Sequence, residues 1–446
     1  MTVLGVDVGT TSLKMAVFRE VGDSLEIVTT FSKPYLMNTY NEGLFSDIEP
    51  AKWLATFELG CREMGDILAD VDVIALSGTT PALTAMDSDG GALYPAILML
   101  DQRSRKQAQQ IINTIGLDTL LQETGNMPVA GGCSLASMLW IRDNHPDIFE
   151  KTAVFGHSNT FMARYLTGNF AIDPSSASLT ALYNTVKNDL TWNTGIASEF
   201  GLTEDRLPHL IPAMESAGRV EASLALRLGL RKEPPVVIGG NDAVLAAYSL
   251  GITEPGQVID VNGTCEITLV CLPKCLSSTH YNVRAHVVPD RWLTLYVMNA
   301  GGYALEWFRK LFCTEIAADD FYSDFLPAAV NKWLDRESSV AYIPFLMGSR
   351  YSLEPLRAEF TGITAETSRD ELAASLVRGL CNYQQEHLDL IEKNVPLNKT
   401  VCLTGGAVNP ALVRAKEHWY RDCKYEFQEQ SSVLGAAMLG MDYLKK

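Results

Sequence analysis

Two distant stretches of the chain share one alternating pattern of apolar positions, each interrupted by an acidic residue and a glycine turn. Residues 3–17 read VLGVDVGTTSLKMAV and residues 258–270 read VIDVNGTCEITLV. A shift of 253 positions superposes Asp7 on Asp260 and Thr11 on Thr264. Alternation around a short glycine turn is typical of a β-hairpin. Solenoid repeats have periods of about 20–50 residues, so this pattern predicts a duplicated domain, with a chance match as the alternative.

The rest of the pattern predicts strands that alternate with helices. An apolar run at 71–76 indicates a strand, while three- and four-residue apolar spacing predicts helices over 49–68 and 104–115. Residues 234–251 and 401–420 each read as a strand, a glycine turn and a helix. We therefore expect an α/β protein with two halves, residues 1–238 and 239–446. Each half carries the acidic hairpin near its beginning and continues with alternating strands and helices.

Composition narrows the class of protein. The chain has 446 residues, 47% apolar and 20% charged, which is typical of a globular protein. Its formal charge of −17 argues against nucleic acid or an anionic membrane as a partner. No apolar run reaches the ~18 residues of a spanning helix, and no signal peptide is recognised. Nine scattered cysteines without framework spacing indicate reduced thiols, so we expect a cytoplasmic location.

The first glycine turn carries the residue types that bind phosphate. Asp7 offers a carboxylate for Mg²⁺, Gly9 allows close approach to a phosphate, and Thr11, Ser12 and Lys14 offer donors and a charge. Gly263 and Thr264 occupy the matching turn of the second stretch. Two such hairpins across a cleft would hold a triphosphate from both sides. The alternative is that each is only a tight hairpin; no GxxxxGK[ST] phosphate loop is present.

Several motifs in sequence order resemble the signatures of one family. They are DVGTTSLK at the start, LYPAILMLDQRS at 93–104, SLASMLWIRDN at 134–144, GGNDA at 239–243, DVNGTCE at 260–266, NAGGYALEWFRKLF at 299–312, RAEFTGIT at 357–364 and LTGGAVNPAL at 403–412. Together they resemble the FGGY carbohydrate kinases and span nearly the whole chain. The resemblance implies two ribonuclease-H-like domains of the actin-like ATPase type with a cleft between them, and transfer of the γ-phosphate of ATP to a sugar.

The resemblance also implies roles for individual residues. Asp242 falls on the catalytic base and, with Asp7, on the Mg²⁺ site; capping of the following helix is the alternative role for Asp242. Thr80, Asp101 and Arg103 fall on the sugar-binding side, although a structural ion pair would equally explain the last two. The residues expected to bind ATP are Thr11, Ser12, Lys14, Gly263, Thr264, Gly302, Glu306, Gly405, Gly406, Ala407 and Asn409. For Lys14, a solvated strand end is the alternative.

Four positions depart from the family pattern and leave the substrate open. Pro81 stands where xylulose kinases carry a histidine that contacts the ketose, and proline has no N–H donor. Ser137 and Arg378 replace a lysine and an acid of the two family signatures, and GTCE resembles the GTWE of fuculose-type kinases. A ketose such as xylulose is the expected substrate, with L-fuculose-, glycerol- or gluconate-type activity as alternatives.

Other classes of function remain as alternatives. Cys271, Cys275, His280 and His286 have spacing somewhat like that of a zinc module, although the other motifs need only Mg²⁺. A non-catalytic ATP sensor would keep the cleft without turnover, and a chaperone-like ATPase would carry a further domain after the second half. We expect a small sugar or polyol as the partner, with ATP and Mg²⁺, and leave assembly as a homodimer open.

Overall fold

The computed structural model describes residues 1–22, 24–352 and 356–446. Its strands, in chain order, are β1 Thr2–Val8, β2 Ser12–Val21, β3 Ser24–Pro34, β4 Asn38–Tyr40, β5 Phe45–Ile48, β6 Val73–Gly78, β7 Ala82–Met86, β8 Ala96–Leu98, β9 Val154–Gly156, β10 Ala171–Ile172, β11 His209–Leu210, β12 Ser216–Arg219, β13 Pro235–Asn241, β14 Val258–Asn262, β15 Glu266–Leu272, β16 Asn282–Ala285, β17 Trp292–Met298, β18 Ala341–Ile343, β19 Glu359–Thr361, β20 Thr400–Thr404 and β21 Lys424–Phe427.

The helices alternate with these strands. They are α1 Ala51–Met64, α2 Arg105–Ile115, α3 Leu117–Thr124, α4 Ser134–Asn144, α5 Pro146–Lys151, α6 Ser158–Thr167, α7 Pro174–Ala177, α8 Thr194–Glu199, α9 Ala222–Arg227, α10 Asp242–Ser249, α11 Gly302–Phe312, α12 Ala318–Asp320, α13 Leu326–Trp333, α14 Arg369–Glu392, α15 Pro410–Ala415 and α16 Ser432–Lys445. A short π-helical turn, Lys416–Tyr420, follows α15. No described helix is both long enough and apolar enough to cross a membrane.

The first large sheet is built around the N-terminal hairpin. Its strand order is β12-β13-β6-β1-β2-β3. β1 and β2 pair antiparallel with Asp7 opposite Lys14, while β6 runs parallel to both β1 and β13. The carboxyl ends of β1, β6 and β13 therefore meet at one edge of the sheet, which is where open α/β sheets bind their ligands.

The second large sheet repeats this arrangement around the second hairpin. Its order is β16-β17-β15-β14-β20-β21, and β14 pairs antiparallel with β15 and parallel with β20. In both sheets an antiparallel strand flanks the hairpin on one side, and two parallel strands follow on the other. This shared order is the one that duplication of the acidic hairpin and its neighbouring strands would produce.

Two helices lie in a core shared by the two sheets. One cluster of buried side chains includes Val3 and Ala75 from the first sheet, Ile259 from the second, Leu245 of α10 and Ala436 of α16. Gly435 allows this packing, because a Cβ there would lie 2.0 Å from the carbonyl oxygen of Leu245. The helix at the end of the chain thus packs on the sheet formed at its start.

The individual elements follow the predictions closely. The expected strand at 71–76 is β6, and the helices expected over 49–68 and 104–115 are α1 and α2. The boundary expected between residues 238 and 239 falls inside β13, whose pairing continues to Asn241 in the first sheet. A smaller sheet is ordered β4-β5-β8-β7-β9, and its strands β7–β9 share a separate buried cluster with helices α2–α5.

Candidate active site

The turn of the first hairpin holds Asp7 below its surface. The amide of Gly9 donates to the carbonyl of Ser12 at 3.0 Å, which closes the turn. The hydroxyl of Ser77, at the carboxyl end of β6, donates to Oδ1 of Asp7 at 2.7 Å. Burial raises the pKa of the Asp7 carboxyl, while hydrogen bonds from Ser77 and Ser432 and the charge of Lys14 oppose the rise.

The predicted donors of this turn face outward. Thr11 and Lys14 are exposed and Ser12 is half-buried. Because Lys14 is directly opposite Asp7 in the antiparallel register, the two side chains share one face of the hairpin. Gly9 permits this tight turn, since a Cβ at residue 9 would lie 2.9 Å from the carbonyl oxygen of Ser12. The turn thus combines the buried carboxylate of Asp7 with exposed donors at Thr11 and Lys14.

Asp242 is the first residue of α10 and follows β13 directly. Its Oδ1 accepts hydrogen bonds from the Ala243 amide and from Nδ2 of Asn241, both at 2.8 Å. Within the described part of the chain, Oδ2 has no hydrogen-bond partner, and the residue is half-buried. Burial raises the pKa of Asp242 to about 6; the charge of Asp7 adds to the rise and that of Arg284 opposes it.

The helix cap is supplied by a different residue. The side chain of Asn241 accepts a hydrogen bond from the Val244 amide at 3.3 Å and is the N-cap of α10. Capping, the alternative considered for Asp242, is therefore the task of its neighbour. This division leaves the carboxylate of Asp242 directed into the site with one oxygen unengaged by the described residues.

Thr80 contacts Asn241, the neighbour of Asp242, and joins the two halves of the molecule. Its Oγ1 accepts from Nδ2 of Asn241 at 2.9 Å and from Nη1 of Arg284 at 2.7 Å. Nη2 of Arg284, on β16, also donates to the carbonyl of Thr80 at 2.8 Å. Thr80 is 1% exposed, so its side chain is committed to this network in the structure.

The second hairpin turn meets two other glycine-containing segments. The carbonyl of Gly263 accepts from the Gly302 amide at 2.9 Å, and that of Asn262 accepts from the Ala407 amide at 3.0 Å. Gly405 has φ of 106°, and a Cβ there would lie 2.2 Å from the Asn262 carbonyl oxygen. Five residues predicted to bind ATP are thereby brought together, namely Gly263, Thr264, Gly302, Gly405 and Ala407.

The remaining predicted nucleotide residues lie around this junction. Asn409 caps α15 by accepting from the amides of Ala411 and Leu412, both at 3.1 Å. An open groove of about 500 Å³ beside it is lined by Val408, Asn409, Pro410, Val413, Arg414, Glu417 and Phe427. Glu306 forms an ion pair with Arg309, and hydrogen bonds from Arg309 lower the pKa of its carboxyl to about 2. A place in the ATP-binding site stays a prediction for Glu306.

Comparison with known proteins identifies this arrangement of turns and acids. The N-terminal domain model of the FGGY family of carbohydrate kinases matches residues 2–249, more than half of the chain. The chain belongs to this family. It is therefore an ATP-dependent kinase whose partner is a small sugar.

Individual FGGY relatives match over nearly the whole chain. Xylulose kinase of Lactococcus lactis subsp. lactis (strain IL1403) is 27% identical, with 98% of this chain and 87% of the relative covered. Gluconokinase of Bacillus subtilis (strain 168) is 24% identical, with 98% and 86% covered. The crystal structure of xylulose kinase from Rhodospirillum rubrum, 22% identical, has a TM-score of 0.89 over 99% of this chain and 89% of that one. This structural likeness shows the two-domain actin-like ATPase fold.

Asp101 and Arg103 of this FGGY kinase form a buried ion pair. Arg103 contacts Asp101 and Asp47, both at 2.8 Å, and these side chains are at most 2% exposed. The Arg103 guanidinium also lies 4.4 Å from the centre of the Phe45 ring. The alternative of a structural ion pair is thus present in the structure, and a role in shaping the sugar pocket stays a prediction.

Three residues of the site escaped sequence reasoning. Ser77, Asn241 and Arg284 contact Asp7, Asp242 and Thr80. Of the three, Asn241 alone lies in a quoted motif, GGNDA, and the resemblance implies no role for it. Asn241 could have been noticed, because asparagine is a preferred N-cap. Arg284 gives no signal, since an arginine in the strand NVRA reads as an outward-facing side chain.

In the structure, the four residues of the zinc-module alternative have separate surroundings. Nε2 of His286 is 2.9 Å from the Ile252 carbonyl, and Cys271 is buried in β15. Cys275 lies beside Ser277, and His280 follows in the loop before β16. Across the described ranges, no group of three or more His, Cys, Asp or Glu side chains is arranged to hold a metal ion.

Proposed function

We propose that this kinase transfers the γ-phosphate of ATP to a hydroxyl of a small ketose, with Asp242 as the general base. The observation that carries the proposal is the placement of Asp242. Its Oδ1 is fixed by Asn241 and Ala243, while its Oδ2, half-buried beside Asp7, has no partner within the described residues. A fixed carboxylate with one unengaged oxygen is suited to accept a proton from a bound hydroxyl.

The proposed step is an in-line phosphoryl transfer. Oδ2 of Asp242 takes the proton of the sugar hydroxyl as that oxygen forms a bond to the γ-phosphorus, and the bond to the β-phosphate oxygen breaks to release ADP. A pKa of about 6 leaves Asp242 ionised at neutral pH and still basic enough to accept a proton. Positioning of the two substrates contributes on the order of 7–11 kcal/mol, so the base supplies only part of the rate.

Asp7 and Asp242 fit the requirements of Mg²⁺. Mg²⁺ in kinases is held by one or two carboxylates together with substrate phosphates and water. Asp7 offers its carboxylate beside the tight turn at Gly9, and the nearby charge of Asp242 would add to the attraction for the ion while its Oδ2 stays available for the proton. Bound between these side chains and the nucleotide, the ion would neutralise charge on the phosphates. Without the ion, the two carboxylates of Asp7 and Asp242 would lie close to a negatively charged triphosphate.

The glycine segments are proposed to bind the nucleotide. Thr11, Ser12 and Lys14 would contact phosphates from the first hairpin, and Gly263 and Thr264 from the second. Gly302, Glu306 and the segment Gly405, Gly406, Ala407 and Asn409 would hold the nucleoside beside the groove along α15. The backbone at Gly302 and Gly405 approaches the turn of the second hairpin closely, and a side chain at either position would prevent this approach. The close approach supports the assignment.

The ketose assignment rests on the relatives named xylulose kinase. Thr80, Asp101 and Arg103 belong to the proposed sugar side, either by contact or by holding the pocket in shape. Pro81 removes an N–H donor from this side, so the hydroxyl pattern that is recognised should differ from that of D-xylulose. Assembly as a homodimer and a cytoplasmic location stay predictions.

A screen of ADP release tests this function. Purified protein with Mg²⁺ and ATP would be presented with pentuloses, hexuloses, glycerol, other polyols and sugar acids, each measured by coupled ADP release. We expect turnover with at least one ketose and a phosphorylated product by mass spectrometry. Absence of turnover across the whole panel would contradict the proposed function, and turnover only with a sugar acid or glycerol would contradict the ketose assignment.

A further inference from the structure

A buried arginine without an acidic partner lies next to the proposed base. Arg284 is 1% exposed, and among the described residues it forms no ion pair. Its Nε has no hydrogen-bond partner in that part of the chain. Burying a guanidinium in this way is unfavourable unless its hydrogen bonds and nearby charges offset the cost. The two hydrogen bonds that it does form both go to Thr80.

These bonds fix Thr80 in two ways. The bond from Nη2 to the carbonyl of Thr80 holds the backbone, and the bond from Nη1 to Oγ1 holds the side-chain rotamer. Thr80 Oγ1 then keeps its second lone pair available for Nδ2 of Asn241, 2.9 Å away. Arg284 therefore acts on Asn241 through Thr80 although it does not touch Asn241.

Asn241 connects Thr80 to the proposed base, Asp242. Its side-chain oxygen accepts from the Val244 amide, which settles the orientation of the side-chain amide, so Nδ2 faces both Thr80 and Asp242. Nδ2 donates to Oδ1 of Asp242 at 2.8 Å, which leaves Oδ2 as the unengaged oxygen. The chain of contacts thus runs from β16 of the second sheet to the residue after β13 of the first.

Other charged groups surround the arginine without bonding to it. Asp242 and Asp173 act on Arg284 as opposite charges, Arg350 acts as a like charge, and Tyr351 also lies close. Asp7 acts on Asp242 from β1, and the imidazole of His157 is near enough to sense Arg284. The guanidinium of Arg284 is therefore the positive group of the hydrogen-bond network that includes Thr80 and Asn241. This network ends at Asp242, whose carboxylate lies near that of Asp7.

We propose that Arg284 is a positioning residue for Asp242, which it orients through Thr80 and Asn241. The proposal rests on the assignment of Asp242 as the base in the proposed function. It predicts that loss of Arg284 or of the Thr80 hydroxyl displaces the base and slows phosphoryl transfer, while nucleotide and sugar still bind.

A double-mutant cycle in the full-length kinase tests this. We expect Arg284→Met and Thr80→Val each to lower kcat by about 10- to 100-fold, as for a misplaced reacting group, with the KM for sugar and for ATP changed less than about threefold. The double variant should be no slower than the slower single variant, because the two residues act in one chain. Thr80→Ser, which keeps the hydroxyl, should recover most of the kcat that Thr80→Val loses.

The matched control is another arginine in the same region. Arg291→Met removes a partly exposed guanidinium paired with Glu254, and should leave kcat within about twofold. If the two losses in the cycle multiply, or if Thr80→Val raises the sugar KM with kcat intact, Thr80 acts independently and the proposal is overturned. Unchanged kcat in Arg284→Met would overturn it equally.

Two further measurements keep the test decisive. If Arg284→Met does not fold, Arg284→Lys keeps the charge but cannot donate to both acceptors with guanidinium geometry, so its kcat should still fall; an unchanged kcat would overturn the proposal. A crystal structure of the folded variant should show Asp242 turned away from its original position. An unmoved Asp242 overturns the proposal whether or not the protein turns over, whereas an inactive unmodified protein would contradict only the proposed function.

Discussion

Asp7 and Asp260 hold equivalent places in the two hairpins but have different partners. Asp7 receives a hydrogen bond from Ser77, whereas Asp260 lies 2.8 Å from the ammonium of Lys416, which also pairs with Glu266. These three side chains of the second half are at most 6% exposed. The acid of the second half is thus neutralised inside the protein, whereas Asp7 forms no ion pair among the described residues and is the acid that the proposed function assigns to Mg²⁺.

Removal of the lysine should therefore destabilise the fold. Lys416→Met leaves Asp260 and Glu266 buried without a cation, which typically costs about 3–5 kcal/mol. Urea unfolding at pH 7 measures this loss. The control is Lys310→Met, whose ion pair with Glu306 is 68% exposed on the lysine side and should change stability by less than about 1 kcal/mol. Equal effects of the two substitutions would contradict the neutralising role of Lys416.

The raised pKa of Asp242 predicts an acid limb in the pH profile. Its pKa of about 6 lies above the ordinary 3.8, so the base becomes protonated as the pH falls through about 6. We expect kcat/KM for the sugar to fall tenfold per pH unit below that point, since this parameter reports the free enzyme. Stopped assays between pH 4.5 and 8 measure it. A limb centred near pH 4 would contradict the environment described for Asp242.

Sequence reasoning at this scale singles out residues that lie in a motif. Asp242 and Asp7 stand next to glycine turns, and their placement at two strand ends agrees with that. Lys416 and Arg284 give no such signal, because their partners are about 150 and 200 residues away in the chain. Pairings at such separations depend on how the sheets pack, which local patterns do not encode.

At the scale of elements, the glycine segment after β20 determines how closely two turns approach. The φ of 106° at Gly405 is unfavourable for other residues, and its position directly over the Asn262 carbonyl excludes a side chain. A Cβ added at the adjacent Gly406 would meet none of the surrounding atoms within 4 Å. The two neighbouring glycines therefore differ in what an added methyl group would meet.

This difference predicts unequal effects of the same substitution. Gly405→Ala should lower the free energy of unfolding by about 1–3 kcal/mol through backbone strain and contact with Asn262, and should weaken ATP binding measured by calorimetry. Gly406→Ala should leave the free energy of unfolding nearly unchanged. If both variants unfold at the same denaturant concentration, the close approach at Gly405 would be refuted.

Elements themselves are well predicted, for a physical reason. The hairpins, β6, α1 and α2 have strong local periodicity, so their sequences alone determine their type. The strand order could be anticipated only through the duplication and the family resemblance. The sequence does not predict the small sheet with β4 and β5, because its strands are only three to five residues long and carry little pattern.

At the scale of the whole molecule, the two halves share a core. The last helix, α16, buries Val433, Leu439 and Met441 in the cluster that contains residues of both sheets. The hydroxyl of its Ser432 also lies near Asp7. The end of the chain therefore supports the first hairpin, and this buried cluster is built from both halves of the chain.

Truncation tests this shared core. Removal of residues 432–446 deletes the three large buried side chains Val433, Leu439 and Met441. The burial of each contributes about 1.5–3 kcal/mol to stability. At roughly 2–4 °C per kcal/mol for a domain of this size, Tm should fall by about 10 °C or more. Removal of only Lys445 and Lys446 should change Tm by less than about 3 °C. An equal Tm for both truncations would contradict the role of α16.

The most direct test of the account is the substitution Asp242→Asn, made in the full-length kinase and assayed with the best sugar of the panel. We predict that kcat falls by about 10²- to 10⁴-fold, because the amide cannot accept the proton, while the Kd for Mg²⁺-ATP from calorimetry changes less than about threefold. Retention of kcat within tenfold of the unmodified protein would contradict the assignment of Asp242 as the base.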